Sequence, residues 1–321
     1  MTDSDNSARL RRIARGDHAL DRKVAVVEKR WGHPADKRER LVQRIQANAI
    51  KSFLDIAEDF LDLIWTLDQY RVAQVPPRAM GRLDLTPARR LEGVYRGKGN
   101  NFSTLIALLL GQQTSQILAP RSRVQGFSQE HQIDVAWPAR DGTPIPDPLI
   151  CVETKLTGAP AYGTTPARGA MSDWSNRRKE LKFAATDLKL NRRQAETSID
   201  HWDFWRRRAA PSVYFLWCAR LQPRDRVEKM MSEAQALSST YLDGAGMFAY
   251  RTRAGDDGYE PVPITPSPTA RVTSVDDVLQ QIAAEIKEII RTNGGSVPPP
   301  ILPQDRVVDV NQLEPDREPP E

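Results

Sequence analysis

Apolar residues recur at three- and four-residue steps over residues 36–70 of the chain. This spacing places them on one side of an α-helix and predicts a single long amphipathic helix. Val75-Pro-Pro77 ends the helix, because a residue that precedes proline disfavours helical backbone, and the stretch up to Gly99 is predicted to be a linker with short helical turns. We therefore expect a helical N-terminal region over residues 1–98. The apolar positions are Leu41, Ile45, Ala49, Phe53, Ile56, Phe60, Leu63, Ile64 and Leu67.

The apolar stripe of this helix has to be covered by other apolar surface. The preferred interpretation is that it packs against the rest of the same chain, and the alternative is a homodimer that pairs two such helices. A second stripe follows near the C-terminus. There, Ser274 has the position of an N-cap and Asn293-Gly-Gly295 that of a stop, which predicts a helix over residues 275–292.

Alternation of apolar and polar residues indicates β-strands in the middle of the chain. In the first predicted strand, Asp134 lies on the face opposite the large apolar residues. In the second, Glu153 and Lys155 occupy the corresponding position, so each of these strands has one apolar and one polar face. The predicted strands cover residues 131–137, 149–156, 211–219 and 246–250. The apolar face of the first strand comprises Ile133, Val135 and Trp137.

The segment between the first two strands, residues 138–148, contains four prolines and one glycine, which exclude a helix and indicate a hairpin connection. Asp134 stands three residues before this segment and Glu153 follows it closely. Antiparallel pairing would therefore bring both carboxylates to nearly the same depth, with Cβ atoms roughly 4.5–5.5 Å apart. Lys155 would lie further along the same face.

Two carboxylates and an ammonium group at such distances suit phosphodiester hydrolysis. Asp134 and Glu153 are hard oxygen ligands of the kind that Mg²⁺ prefers, and Mn²⁺ is expected to substitute for it. A bound ion polarises a phosphate and increases the acidity of water. Lys155 is predicted to act as the catalytic base or as an electrostatic stabiliser. The simpler interpretation of the same residues is a cross-strand ion pair on a solvated sheet face.

Ile133-Asp134 together with Glu153-Thr154-Lys155 resembles the signature of the PD-(D/E)xK nuclease superfamily, which has the restriction-endonuclease-like fold. The resemblance covers roughly residues 99–252. It implies an α/β fold in which helices flank a mixed β-sheet, an opening helix that corresponds here to residues 101–110, and Mg²⁺-dependent endonuclease activity on DNA. Restriction or another defence against foreign DNA is the implied setting, although repair and recombination nucleases share the motif. The predicted nuclease core covers residues 99–292.

Two positions depart from the pattern of the superfamily. Ile133 replaces the proline that gives the motif its name. Many members also carry a glutamate on the opening helix as a further metal ligand, whereas this helix offers Ser103, Thr104, Gln112 and Gln113, with Glu92 nearby in sequence. The sequence therefore leaves both one-metal and two-metal mechanisms open.

Basic and aromatic residues are interleaved over residues 173–208, a predicted helical segment. Such a mixture suits contacts to phosphates and bases, but the spacing of Trp202 and Trp205 favours a place in the core. Another arrangement pairs Glu153 with Asp187 and Lys189 as the catalytic triplet. A non-catalytic nucleic-acid-binding or assembly module is the alternative to a nuclease. The residues predicted to contact DNA are Arg177, Arg178, Lys182, Arg192 and Arg193.

Composition constrains these hypotheses only weakly. Forty-six basic and 42 acidic residues among 321 give a net charge of +4, so a nucleic-acid interface has to come from the distribution of charge. The two cysteines favour a reducing compartment, and we expect a cytoplasmic protein without a membrane segment. The chain has no glycine-rich phosphate-binding loop of the NTPase type, so no nucleotide cofactor is expected. Residues 1–35 are predicted to be a solvated basic segment rather than a DNA-contacting arm, and residues 293–321 a proline-rich disordered tail.

Overall fold

The computed structural model describes residues 22–47, 49–73, 87–141, 144–190, 210–264 and 272–298; for residues 87–96 the description is limited to the backbone. The helices are α1 (22–31), α2 (Pro34–Ala47), α3 (Ala57–Val72), α4 (Pro87–Thr114), α5 (Trp174–Leu190), α6 (Val227–Ser238) and α7 (Val275–Thr292). The strands are β1 (Ala119–Gln125), β2 (Glu130–Trp137), β3 (Ile150–Thr157), β4 (Ser212–Arg220), β5 (Gly244–Thr252), β6 (Tyr259–Val262) and β7 (Val272–Ser274).

The strands form one mixed seven-stranded sheet in the order β1-β2-β3-β4-β5-β6, with β7 also paired to β5. The pairs β1–β2 and β2–β3 are antiparallel, β3–β4 and β4–β5 are parallel, and β5–β6 is antiparallel. Helices α5 and α6 lie in the two crossovers between the parallel strands, as parallel pairing requires. The predicted mixed α/β architecture is therefore confirmed, and so is the hairpin between β2 and β3.

Both faces of the sheet are covered. Alternate residues of β4 point into two separate apolar clusters, with Leu216 in one and Phe215 in the other. Helices α3, α4 and α7 cover the first face, and α5 and α6 cover the second. This double coverage explains why β4 has an almost uninterrupted apolar sequence.

The N-terminal apolar stripe belongs to the core of its own chain. Every residue of the stripe except Ala49 is buried, and these residues join the cluster beneath the sheet. The intramolecular interpretation is thus confirmed. The buried residues of this stripe are therefore not available to a second copy of the chain, and the alternative of a homodimer through the N-terminal helix has no support among the described residues.

The prediction of a single helix over residues 36–70 is wrong, because the chain forms two helices there. Helix α2 ends at Ala47, Ala49 adopts a positive φ of 48°, and a 3-10 turn over Leu54–Ile56 precedes α3. The carboxylate of Asp276 accepts hydrogen bonds from the backbone N–H groups of Phe53 and Leu54, at 2.5 and 3.1 Å. A side chain more than 200 residues away in sequence therefore accepts hydrogen bonds from the backbone N–H groups that precede α3.

Two other expectations for the first 98 residues need correction. Helix α4 begins at Pro87, so the predicted linker up to Gly99 is partly helical and the predicted boundary at residues 98 and 99 falls within α4. The basic segment contains α1, whose Val24 and Val27 pack against Tyr70 instead of being solvated. Residues 1–21 lie outside the described residues.

The C-terminal helix agrees with its prediction. Helix α7 covers Val275–Thr292, and Ser274 and Asp277 form a capping box at its start. Residues 299–321 of the predicted tail lie outside the described residues. In the described part of the chain, no helix is both long enough and apolar enough to cross a membrane.

Candidate active site

Asp134 lies where β2 and β3 separate. The antiparallel register ends with the pair Val135–Val152, and Asp134 is the next residue of β2. Beyond that point, the Asp134 carboxylate replaces the strand as the hydrogen-bond acceptor: its Oδ2 accepts from the backbone N–H and the hydroxyl of Thr154, at 2.8 and 3.1 Å. The hairpin thus fixes Asp134 against β3.

Strand β1, which pairs with β2 on the other side of Asp134, is also irregular. The β1–β2 register passes from Pro120–Val135 to Ser122–Ile133, and Arg121 between them has a positive φ of 52°. Ile133 packs in the cluster on the far face of the sheet from Val135. The single apolar face predicted for Ile133, Val135 and Trp137 is therefore wrong at Ile133, since β2 is distorted at Asp134.

Lys155 connects the two carboxylates. Its Nζ lies 2.8 Å from Glu153 Oε2 and 3.7 Å from Asp134 Oδ2. Glu153 is buried with 7% exposure, whereas Asp134 and Lys155 are partly exposed. The structure therefore brings together the three residues that the sequence predicted, and in this arrangement the ammonium group supplies the countercharge.

The surroundings shift the pKa values of Glu153 and Lys155. The pKa of Glu153 is raised to about 6: burial has the largest effect, the ammonium of Lys155 opposes it, and the charge of Asp134 adds to the rise. For Lys155, burial favours the neutral amine, but the carboxylates of Glu153 and Asp134 outweigh burial and raise the pKa above its ordinary value. At neutral pH, Lys155 is a cation beside two carboxylates.

A cleft of about 590 Å³ opens beside these residues. It is lined by residues of β2, β3 and α4, by the first turn of α5, and by the connection between β3 and α5. That connection folds back on itself through bridges between Ala159 and Arg168 and between Tyr162 and Thr165. The cationic residues of the lining are Lys98, Lys155, Arg168 and Arg177.

The residues predicted to contact DNA are dispersed. Arg177 lines the cleft, where it forms an exposed ion pair with Glu180. Arg178 pairs with Glu233 and Lys182 lies over the ring of Tyr241, and neither belongs to the cleft lining. The predicted residues Arg192 and Arg193, together with Trp202 and Trp205, lie outside the described residues.

Trp174 is a core residue. Its ring stacks on Trp217 with a centroid distance of 4.3 Å, and its indole N–H donates to Glu233. Such a buried ring is not available to stack on a base.

The alternative triplet is not assembled. Asp187 is buried. Its Oδ1 accepts a hydrogen bond from the backbone N–H of Ser128 at 2.9 Å, and its Oδ2 lies 2.7 Å from His131 Nε2. Lys189 pairs with Asp243 at 2.8 Å. Because both residues have partners other than Glu153, the structure favours Lys155 as the lysine of the site.

The sequence-based predictions missed Lys98. Its ammonium is held by both oxygens of Asp68, at 2.8 Å each, and the pair is fully buried although Lys98 lines the cleft. The polar residues considered as further ligands on the same helix have other partners: Ser103 and Thr104 donate to the carbonyl of Asn100, and Gln113 donates to that of Lys51. Lys98 stands between two glycines and belongs to no periodic pattern, so the sequence did not point to this position.

The acidic side chains of the site are Asp134 and Glu153. The described residues contain no group of three or more His, Cys, Asp or Glu side chains that could hold a metal ion. Mg²⁺ is commonly held by one or two carboxylates, with water and substrate phosphate completing its shell. Asp134 Oδ1 has no hydrogen-bond partner among the described residues, which leaves it open to an ion.

Comparisons with family models, curated proteins and solved structures found no match for this chain.

Proposed function

We propose that this protein is a Mg²⁺-dependent nuclease that hydrolyses phosphodiester bonds in DNA. The observation that supports the proposal most is the convergence of Asp134, Glu153 and Lys155 beside a cleft that Asp134 and Lys155 line and that carries further cationic side chains. A solvated cross-strand ion pair would not require a buried glutamate or a cleft. Restriction or defence is the setting that the resemblance to the PD-(D/E)xK superfamily implies.

Each residue has a defined task in this proposal. Asp134 and Glu153 would hold Mg²⁺, which when bound neutralises charge on the phosphate and increases the acidity of water. Glu153 has to be ionised for this, so its pKa of about 6 places the loss of activity on the acidic side of neutral pH. Lys155, as a cation, donates a hydrogen bond to a phosphate oxygen or to the attacking water and stabilises the charge that develops there.

The competing function is a nucleic-acid-binding or assembly module without catalysis. Two observations favour it: the ammonium of Lys155 contacts both carboxylates and offsets one of their two charges, and the described residues provide two acidic ligands rather than three. Such a module would bind DNA through the same cleft without cutting it.

A cleavage assay with purified protein separates these functions. Supercoiled, linear and single-stranded DNA and an RNA of the same sequence are incubated with Mg²⁺ or with a chelator. We expect Mg²⁺-dependent cutting of DNA, and we expect Asp134→Asn and Glu153→Gln each to reduce the rate by roughly 100-fold or more.

A matched control is Asp141→Asn, which changes an exposed carboxylate in the β2–β3 connection and should leave cutting unchanged. Mobility-shift measurements on the same samples detect binding without cutting. Retarded but intact DNA at every Mg²⁺ concentration would establish the binding module instead.

A further inference from the structure

The part of the cleft wall that α4 provides has features which metal binding does not explain. Lys98, Gly99 and Asn100 line the same cleft as Asp134 and Lys155. They lie in the interior of a 28-residue helix, where glycine and asparagine are unfavourable. Something other than helix stability therefore accounts for this sequence.

Gly99 leaves its stretch of helix backbone bare. A Cβ atom built at this position would meet no described atom within 4 Å, so neighbouring side chains do not demand glycine here. Glycine in a helix interior costs about 1 kcal/mol relative to alanine. Because Gly99 faces the cleft, its lack of a side chain preserves room there for a bound group. Gly97 has equally open surroundings but is not part of the cleft lining.

Lys98 brings a buried ammonium group, paired with Asp68, to this wall. Its ammonium is held by Asp68, whose Oδ2 also accepts a hydrogen bond from the hydroxyl of Tyr259 at 2.7 Å. Burial lowers the pKa of Lys98, although Asp68 opposes this effect and favours the charged form. The network orients Lys98 without exposing it to bulk water.

Arg220 is 8% exposed and is not itself part of the cleft lining, and its guanidinium lies 5.5 Å from the centre of the Tyr259 ring. Gly158, which lines the cleft with a positive φ of 81°, packs so closely that a Cβ there would come within 2.5 Å of the carbonyl oxygen of Arg220. Arg220 Nη2 donates to Thr252 at 2.8 Å, whereas Nε and Nη1 are buried and have no hydrogen-bond partner among the described residues. Buried guanidinium N–H groups without an acceptor are costly, which points to an anionic ligand.

We propose that Lys98 and Arg220, with the bare backbone of Gly99, form a subsite that binds a phosphate group of the nucleic-acid backbone. This inference rests on the proposed function, because it assigns to the same cleft a second phosphate of the strand, in addition to the phosphodiester that is hydrolysed. Phosphate oxygens accept several charge-assisted hydrogen bonds and suit an ammonium and a guanidinium group together. The subsite would fix the position of the strand without reading its sequence.

Inorganic phosphate tests the subsite without catalysis. Its affinity is measured from the rise in melting temperature during a titration at constant ionic strength, in the absence of divalent metal. We expect the wild-type protein to bind phosphate and Arg220→Gln to bind it roughly tenfold more weakly or worse, as expected for the loss of a charge-assisted hydrogen bond. Gly99→Leu, which fills the space at the wall, should weaken binding similarly.

Gly97→Leu is the matched control, since it changes the same helix outside the lining and should keep the wild-type affinity. It also shows whether a leucine in this helix is tolerated, so Gly99→Leu stays informative if Arg220→Gln does not fold. Asp134→Asn should likewise retain phosphate binding, which separates this test from a failure of the nuclease proposal. Equal phosphate affinities for wild type, Arg220→Gln and Gly99→Leu would overturn the subsite, as would no binding to wild type.

Discussion

Lys155 determines the charge balance of the candidate site. Its ammonium contacts Glu153 at 2.8 Å and approaches Asp134 at 3.7 Å, and the two carboxylates raise its pKa although burial acts in the opposite direction. A lysine with a raised pKa is protonated at neutral pH and donates hydrogen bonds rather than accepting a proton. Of the two roles considered for Lys155, the geometry therefore favours electrostatic stabilisation.

Substitution of Lys155 distinguishes these roles. Lys155→Met removes the charge and should lower the rate of DNA cutting by roughly 100-fold. Lys155→Arg keeps a cation that cannot serve as a base, so it should cut at least about ten times faster than Lys155→Met at saturating Mg²⁺. Single-turnover cleavage rates provide the comparison. Equal loss in both variants would instead support Lys155 as the base.

Glu153 makes stability depend on pH. Since burial raises its pKa to about 6, the folded protein holds this proton more tightly than the unfolded chain does. The stabilising contribution of the protonated carboxyl is fully present below the ordinary pKa and is lost as the pH rises through about 6. Glu153→Gln stays neutral, so without metal it should gain about 1 kcal/mol relative to wild type between pH 5 and pH 8.

Denaturant unfolding at both pH values measures this change. The exposed control Glu228→Gln should show no pH-dependent difference from wild type. The assigned environment of Glu153 would be incorrect if the gain were absent or had the opposite sign.

The residue-scale site was predictable in part. Strand parity and the proline-rich connection suffice to place Asp134, Glu153 and Lys155 together, because hairpin geometry depends on local sequence. Lys98 was not predictable, since it is tied to Asp68, thirty residues away. The distortion at Asp134 was also hidden, because alternation of residue types does not report a positive φ on the neighbouring strand.

At the scale of elements, the connection between α2 and α3 depends on a tertiary contact. The carboxylate of Asp276, in the first turn of α7, accepts hydrogen bonds from Ser52 and from two backbone N–H groups that precede α3. The apolar stripe keeps its helical spacing through the break between the helices. Periodicity alone therefore predicted one helix, because it follows the buried face and not the backbone.

Asp276→Ala should consequently destabilise the protein by about 1–2 kcal/mol, the typical cost of losing a helix cap. Asp276→Asn retains one acceptor oxygen and should cost less. Urea unfolding of both variants gives the order of stabilities. A neutral effect of the alanine variant would show that water satisfies these N–H groups equally well.

The sheet shows a similar division between what was predictable and what was not. Strands β2 to β5 have strong apolar patterns and were predicted within a few residues of their observed bounds. Strand β1, with the sequence Ala-Pro-Arg-Ser-Arg-Val-Gln, and the four-residue β6 were missed, because edge strands need little apolar sequence.

At the scale of the whole molecule, helices cover both faces of the sheet, and the candidate site lies at the point where β2 and β3 separate. Helices α3, α4 and α7 cover one face and α5 and α6 the other, and residues of both layers line the cleft. A ligand that binds at this junction contacts several elements at once. Binding there should therefore stabilise the folded chain as a whole.

Mg²⁺ should accordingly raise the melting temperature of the wild-type protein. The rise should grow with Mg²⁺ concentration, as ligand linkage requires, and should be absent in a variant that combines Asp134→Asn with Glu153→Gln. Differential scanning calorimetry at constant ionic strength measures it. An equal rise in the double variant would locate the responsible ions elsewhere.

The most direct test of a two-carboxylate metal site is anomalous diffraction from a crystal soaked in Mn²⁺ above pH 7. We expect an anomalous peak about 2.1 Å from carboxylate oxygens of both Asp134 and Glu153, with the ammonium of Lys155 moved away from the ion. Full Mn²⁺ occupancy at other residues, with Lys155 still bridging the two carboxylates, would contradict it.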